Sequence, residues 1–519
     1  MQIIGILLNS SCMIFIKSKV FWLITIATLI RIVLAISIDL GNDEVYYLTY
    51  AQHLQWNYFD HPPMVALLIR LTTLNLFFTD AFFVRLGPIF LAAINTYLMY
   101  CIGSKLKNKT TGLLAALLFT SSFYTSIIAG VFILPDAPQL FFWIICLYLL
   151  IDIVTSKSSI IHYQLILFGI FAGLCIMSKI HGLFLWLGFG MYILIYNRNL
   201  LFNKYLYLSV FITILIVSPI VIWNIENNFI TYTFHSNRVA LDRGVNFNSF
   251  FREVLGGALY NNPLNYILIV TALVGIYKNK YSIQQPIKRL LLLMSLPLVL
   301  VLIFISLYRD TLPHWSGPAF VSLILLTSFA LSTASGKKYK YPIMVNTSLV
   351  FTAVIIFSGI ILINNYPGTI GSTHSESLGK GDVTLDMYQW DYFKSKFNTI
   401  YSNNLKNGKT NTKFIVNNKW FPAAHIDNYI AQPLHLSFVG LGKLEDIHTY
   451  AWLNNYRNKL NKGDDAYFVT FSNMYTNPNE IYKDSFERIN PPYVVTQYRN
   501  KIAARKMFVY LLESYKINN

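Results

Sequence analysis

The chain has 519 residues, of which 55% are hydrophobic and only 13% charged. Soluble globular proteins carry about 25% charged residues, so this balance excludes an ordinary soluble domain. The formal net charge of +17 does not require nucleic acid as a partner, because basic loops of a membrane protein account for it.

Apolar runs of about 20 residues recur, each long enough to cross a bilayer as a helix. They are continuous rather than alternating, which points to helices and away from a β-barrel. Residues 1–19 lack a basic start and a small-x-small cleavage site, and are read as a retained interfacial segment rather than a signal peptide. About eleven spans follow, at 20–38, 84–103, 111–129, 137–154, 161–178, 182–197, 205–223, 264–277, 289–307, 317–333 and 342–364. Residues 64–79 carry Arg70 and follow Pro62-Pro63; they read as an amphipathic helix lying in the interface.

Lys and Arg set the orientation. Lys17 and Lys19, Lys105, Lys107 and Lys109, Lys157, Arg198 and Lys204, Lys278, Lys280, Lys288 and Arg289, and Lys337, Lys338 and Lys340 share one set of short loops. The positive-inside rule makes that face cytoplasmic. The other face then receives residues 39–83, 130–136, 179–181, 224–263, 308–316 and everything after about 365. Ten of the eleven acids before residue 366 fall on that outer face, Asp152 being the exception. Acids contribute little to orientation, so this excess marks either a polar reaction site or the ordinary content of outer loops.

The expected organisation is a transmembrane domain over 1–365, with a chemically loaded outer loop at 39–83, and a C-terminal domain over 366–519. The latter is polar and mixes β-like runs (KFIVNN, AYFVTFS, YVVTQY) with a helix-like stretch (IHTYAWLNNYRNKL). About 150 residues suffice for a core of their own, and a small α/β domain on the outer face is predicted. Cys12, Cys101, Cys146 and Cys175 all sit in apolar segments, so no disulfide framework is expected in the C-terminal region.

Several outer segments hold candidate chemistry. Residues 41–64 carry Asp43, Glu44, Asp60 and His61, interleaved with Tyr46, Tyr47, Tyr50, Trp56, Tyr58 and Phe59. A carboxylate at the membrane surface suits a general base for a hydroxyl or amine; the alternative is a helix start, with Asn42 or Asp43 as cap. Asp60-His61 stands before two prolines that fix the backbone, or merely before a Pro-initiated helix. Asp136, in Leu134-Pro135-Asp136-Ala137-Pro138, lies in a very short turn where an acid is costly unless paired or functional; it also fits a cap. Lys179 sits between two spans on the acidic face and suits a lipid phosphate, or else snorkels to water. His314 and Trp315 suit a sugar pocket or an interfacial aromatic belt. Arg238, Arg243 and Arg252 offer phosphate contacts or solvated loop charges. No GxGxxG, P-loop, HExxH or CxxC pattern occurs. His61, His181, His235 and His314 share the outer side with acids, which admits a divalent metal; their spacing does not demand one.

Five segments in order carry a resemblance: Asp43-Glu44-x-Tyr46-Tyr47, Tyr58-Phe59-Asp60-His61-Pro62-Pro63, Leu134-Pro135-Asp136-Ala137-Pro138, Ser178-Lys179 and Pro313-His314-Trp315-Ser316-Gly317-Pro318. Trp223-Asn224 with Asn227-Asn228-Phe229 adds a sixth. The chain resembles the bacterial GT-C glycosyltransferases of the protein O-mannosyltransferase and aminoarabinose transferase superfamily (glycosyltransferase family 39/83-like). The resemblance covers about 1–365 well and continues loosely through Trp390 and Trp420-Phe421-Pro422-Ala423-Ala424.

The resemblance implies a polytopic α-helical enzyme of the bacterial inner membrane, with its C-terminal α/β domain in the periplasm. It implies a polyprenyl-phosphate-linked sugar donor, a lipid A, glycan or protein acceptor, and inversion at the anomeric carbon. By its motifs Asp43 is the catalytic acid of the first outer loop, with Glu44 beside it, and Asp136 assists. Lys179 and His61 match positions that contact the donor phosphate, joined here by Arg238. Tyr46, Tyr47, Asp60, His314 and Trp315 would line the substrate pocket. His61 departs from the pattern, since relatives often carry Lys there and a neutral imidazole is a weaker anion partner. No cofactor is required and no nucleic acid is expected; membrane lipids are. Two rivals stand beside this reading. A transporter or flippase of a lipid-linked saccharide would show broken helices, mid-membrane charges and repeated halves, whereas the charges here cluster at one face. A non-catalytic scaffold would not need the acid-aromatic loop.

Overall fold

A computed structural model of the chain describes residues 18–155, 161–239, 244–334 and 340–517. The N-terminal segment 1–17, Lys157, Arg243, Lys337 and Lys338 lie outside the described residues, as do the side chains of 237–239 and 340–342. The chain divides into two compact units. One comprises Met1–Ala35, Asp60–Asn75 and Phe82–Ile355; the other comprises Ile36–Phe59, Leu76–Ala81 and Ile356–Asn519.

Among the described residues, eight helices are long and apolar enough to cross a membrane: Lys19–Ser37, Ala81–Leu106, Asp136–Thr155, Ile161–Ser178, Lys204–Glu226, Gln285–Ser306, Pro313–Ala334 and Ile343–Asn365. Three expected spans take other forms. Segment 111–129 becomes helix Lys109–Ser121 followed by a π-helical turn, Tyr124–Ile128, because Ser122 adopts an extended conformation and breaks the run. Segment 182–197 lies in the shorter apolar helix Ile180–Tyr196. Segment 264–277 is one arm of a pair, Phe247–Tyr260 and Pro263–Tyr277, bent by 98°. Asn262 makes that bend: its φ of 63° is left-handed, its side chain accepts from Leu264 N, and Pro263 opens the next helix. The helix expected to lie in the interface is shorter than 64–79. It runs Met64–Thr72 and stops where Leu74, Asn75 and Leu76 turn to positive φ.

In the first unit the helices approach closely where small residues face each other. A Cβ on Gly169 would stand 2.4 Å from Ser209 O, so helices Ile161–Ser178 and Lys204–Glu226 meet backbone to backbone. Ser209 Oγ donates to Leu165 O at 2.6 Å and Thr213 Oγ1 to Gly169 O at 2.8 Å across this contact. Asp152, the one acid expected on the cytoplasmic face, pairs with Lys105. Helix Met64–Thr72 packs against both Asp136–Thr155 and Ile161–Ser178.

The second unit is built on a six-stranded sheet: β1 (Phe414–Asn417), β2 (Ser437–Gly440), β3 (Ala466–Phe471), β4 (Phe486–Ile489), β5 (Tyr493–Arg499) and β6 (Ile502–Tyr515). The order is β2-β1-β3-β6-β4, and β5 also pairs with β6. β1 runs parallel to β2 and β3, whereas β6 is antiparallel to β3, β4 and β5. β3 is buried at every residue, as a central strand covered on both faces must be. The three β-like runs of the sequence are β1, β3 and β5. The helix-like stretch 447–460 shrinks to Tyr450–Leu453 and a 3-10 turn, because Arg457 turns extended. Trp390, Phe393 and Phe397 of helix Trp390–Lys406 join Tyr467 and Phe471 of β3 in the core. Helix Asn42–Gln52 belongs to this unit and packs on helix Trp420–Ile426.

Candidate functional site

In the first unit the site is organised on Asp136. Pro135 and Pro138 flank it at the start of helix Asp136–Thr155. Its carboxylate does not cap that helix through a local bond. Oδ2 accepts from Lys179 Nζ at 2.8 Å and Oδ1 from the Tyr124 hydroxyl at 3.1 Å. Asp136 is 2% and Lys179 3% exposed, so Lys179 does not snorkel to water. Lys179 stands in an extended conformation between helix Ile161–Ser178 and the turn Ile180–Gly182. Gly182 closes that turn; a Cβ there would lie 2.7 Å from Ile176 N. Among the described residues the Lys179 ammonium has this one hydrogen-bond acceptor, leaving further donors uncommitted.

A ring of histidines and one tryptophan belongs to the same unit. His314 and His181 act on the charge of Asp136. His181 packs against Trp315, ring centroids 5.8 Å apart, and His314 against Tyr260 at the same separation. His61 lies 6.2 Å from His235, whose Nε2 is 2.8 Å from Asp60 O. His61, just ahead of helix Met64–Thr72, feels Lys179 and Asp136 as well. Burial pushes its imidazole down to about 4, with Asp60 opposing. It is therefore uncharged at neutral pH and meets an anion only as a hydrogen-bond donor. Arg238 lies on helix Ile230–Val239, but its side chain is outside the described ones.

In the second unit the acid pair of the first outer loop separates. Gly41 is the cap of helix Asn42–Gln52, and the Glu44 carboxylate turns back to accept from Gly41 N at 2.8 Å. Glu44 is 2% exposed, whereas Asp43 is exposed on the first turn. Glu44 thus satisfies the helix start, and Asp43 is left for another role. Tyr46 and Tyr47 are buried. Tyr46 packs on Trp420 and Tyr50, with centroids 4.8 and 5.1 Å away.

Tyr124 and two arginines belong to the structure around this site without being marked by the sequence motifs. Tyr124 follows the Ser121-Ser122 break, and that break in an apolar run was the available signal. Arg31, buried in helix Lys19–Ser37, donates to Ser126 O and Oγ at 3.3 and 3.2 Å. Arg85, also buried, donates to Ala35 O at 2.9 Å. A lone arginine inside a span was itself the signal.

A sequence model of dolichyl-phosphate-mannose-protein mannosyltransferases matches residues 60–223, the stretch that contains His61, Asp136 and Lys179. The lipid A galacturonosyltransferase RgtD of Rhizobium johnstonii is 23% identical over 339 residues, 63% of this chain and 68% of its own length. The crystal structure of ArnT from Cupriavidus metallidurans bound to undecaprenyl phosphate aligns with a TM-score of 0.63 at 13% identity, over 95% of this chain and 98% of that one. The apo oligosaccharyltransferase of Archaeoglobus fulgidus aligns with a TM-score of 0.50 at 14% identity, over 88% and 70%. The structural likeness is one of fold. The chain is a multi-pass membrane glycosyltransferase with a GT-C-type fold and a C-terminal sheet domain.

Proposed function

We propose that the enzyme transfers a sugar from a polyprenyl-phosphate donor to an acceptor on the periplasmic face of a bacterial inner membrane, inverting the anomeric centre. The observation that carries this reading is the buried Lys179–Asp136 pair, a cation fixed in a turn between two apolar helices. A phosphate leaving group develops negative charge as the glycosidic bond breaks and needs such a cation. The ArnT structure described above is bound to undecaprenyl phosphate, which supports a polyprenyl phosphate as the leaving group. The basic cytoplasmic loops support the periplasmic orientation.

In this reading the acceptor oxygen attacks the anomeric carbon while Asp43 takes its proton. The bond from that carbon to the phosphate oxygen breaks, and polyprenyl phosphate departs. Lys179 donates to the phosphate oxygens, and Asp136 with Tyr124 holds the ammonium in place. His61 contributes a neutral hydrogen bond, and Arg238 brings a permanently charged guanidinium to the same phosphate. Asp60, His314 and Trp315 face the sugar. Glu44, Tyr46 and Tyr47 seat the helix that bears Asp43. Lipid A is the first acceptor to examine, because RgtD is a lipid A galacturonosyltransferase. A lipid-linked saccharide flippase is not favoured, since the relatives are transferases.

The test is a comparison of lipid and glycan mass spectra between a deletion strain and its parent. The reading expects one glycolipid or glycan to lose a single sugar increment and to regain it on complementation. Identical spectra would contradict it.

A further inference from the structure

Within the second unit, the residues that lead into helix Asn42–Gln52 are held far more firmly than a helix start requires. Asp39 N donates to Met387 O at 3.1 Å, and Asp39 Oδ2 accepts from Trp390 N at 2.8 Å. Leu40 N donates to the Tyr429 hydroxyl at 2.9 Å. Leu40 O is 3.0 Å from His425 Nε2, which is also 3.0 Å from Asp386 O. Both neighbours are carbonyls, so this nitrogen carries the proton and donates to them. Asn42 Nδ2 donates to Asp386 Oδ2 at 2.9 Å.

The holding groups are themselves fixed. His425 is fully buried and stacks on Trp390, centroids 4.2 Å apart and planes 25° apart. Trp390 Nε1 donates to Asp386 O at 2.8 Å. Arg505 lies over the Trp390 ring at 4.6 Å and supplies positive charge toward Asp386. Glu44 already caps the helix locally, so none of these contacts is needed for the helix to form. Each bond made by Asp39, Leu40 or Asn42 joins residues more than 340 positions apart, and ordering such distant partners costs conformational entropy. Their common effect is to fix both backbone groups of Leu40 and the side chain of Asn42, immediately ahead of Asp43.

We infer that Asp386, His425 and Tyr429 are positioning residues for Asp43: they set where its helix begins and therefore the aim of its carboxylate. The inference rests on the reading of Asp43 as the acid that reacts. Rate falls by on the order of a hundredfold when a reacting group is misplaced by about 1 Å, so rigid seating has a direct catalytic return.

The test uses the full chain. Asn42→Asp sets two carboxylates against each other. Asn42→Asp with Asp386→Asn restores the bond with donor and acceptor exchanged. Tyr429→Phe is the mild variant, removing only the hydroxyl that holds Leu40 N. Amide exchange over residues 39–52 is followed in purified protein, transfer rate in deletion-strain membranes, and binding of undecaprenyl phosphate as the donor probe. The inference expects faster exchange and about a tenfold slower transfer in Asn42→Asp and Tyr429→Phe, unchanged undecaprenyl phosphate binding, and recovery to within about threefold in the swapped pair. Full-rate transfer alongside faster exchange would overturn it, as would failure of the swap to recover. Transfer retained by Asp43→Asn would instead remove the reading beneath it, a result distinct from either.

Discussion

Lys179 Nζ lies 2.8 Å from Asp136 Oδ2 with both side chains almost wholly buried. Taking two charges out of water is expensive, and breaking such a pair by removing one partner costs about 3–5 kcal/mol, because the other is left uncompensated. Lys179→Met and Asp136→Asn are expected to lower the melting temperature by several degrees and to abolish transfer. The double variant Asp136→Leu with Lys179→Met is expected to regain most of the stability and none of the activity. A thermal shift series beside the transfer assay separates the two. Activity returning with stability would show the pair to be structural alone.

Gly317 gives Tyr124 its place. A Cβ on Gly317 would stand 2.3–2.4 Å from the Tyr124 ring, and the ring is fully buried with its hydroxyl on Asp136. Tyr124→Phe removes one hydrogen bond and is expected to cost about 1 kcal/mol. Gly317→Ala forces the ring to move, and is expected to cost about 1–3 kcal/mol and more activity than Tyr124→Phe. Denaturation curves and transfer rates check the ranking; equal rates for Gly317→Ala and the native chain would refute it.

Much of this was legible because it is local. Eight spans lie where unbroken Leu, Ile and Phe runs put them, and β1, β3 and β5 coincide with the β-branched and aromatic runs of the tail. Asp136 and Lys179 each stood out singly, since a charge in a turn between apolar spans needs a reason. Their pairing across 43 positions depends on how two helices pack and has no sequence signature. The same holds for Tyr124 on Asp136 and for Asn42 on Asp386. The division of labour between Asp43 and Glu44 was half legible: an acid three residues past Gly41 is placed to close the helix start, but only the backbone shows which acid turns inward. The bend at Asn262 is not legible in the sequence, because asparagine before proline reads as an ordinary loop.

Two groups in the second unit make stability depend on pH in opposite senses. Burial pushes His425 from 6.5 down to about 3. Its neutral form is needed, so its contribution is present above about 6.5 and fades as pH falls toward 3. Burial pushes Asp386 from 3.8 up to about 6, against Asn42 and Arg505 and with Asp382 adding to the rise. Its protonated form is favoured by folding, so its contribution is present at low pH and fades as pH rises through 6. His425→Gln is therefore expected to lose less melting temperature between pH 7 and 5 than the native chain, and Asp386→Asn to lose more. Identical pH slopes in all three would contradict the assignment.

His61 is uncharged at neutral pH, so it contributes at most a neutral hydrogen bond, worth about 1 kcal/mol. His61→Gln is expected to retain transfer within about fivefold, with undecaprenyl phosphate binding flat between pH 6.5 and 8. A loss as deep as that of Lys179→Met would show that His61 acts as a cation after all.

The proposed role of Asp43, exposed on the first turn of helix Asn42–Gln52 while Glu44 turns inward, is to take the acceptor's proton. It is tested most directly by Asp43→Asn, which keeps size and helix and removes the base. Expressed in the deletion strain at the native level, this variant is expected to leave the sugar increment missing from the mass spectrum, while Glu44→Gln restores at least part of it. A full sugar increment with Asp43→Asn would contradict the account.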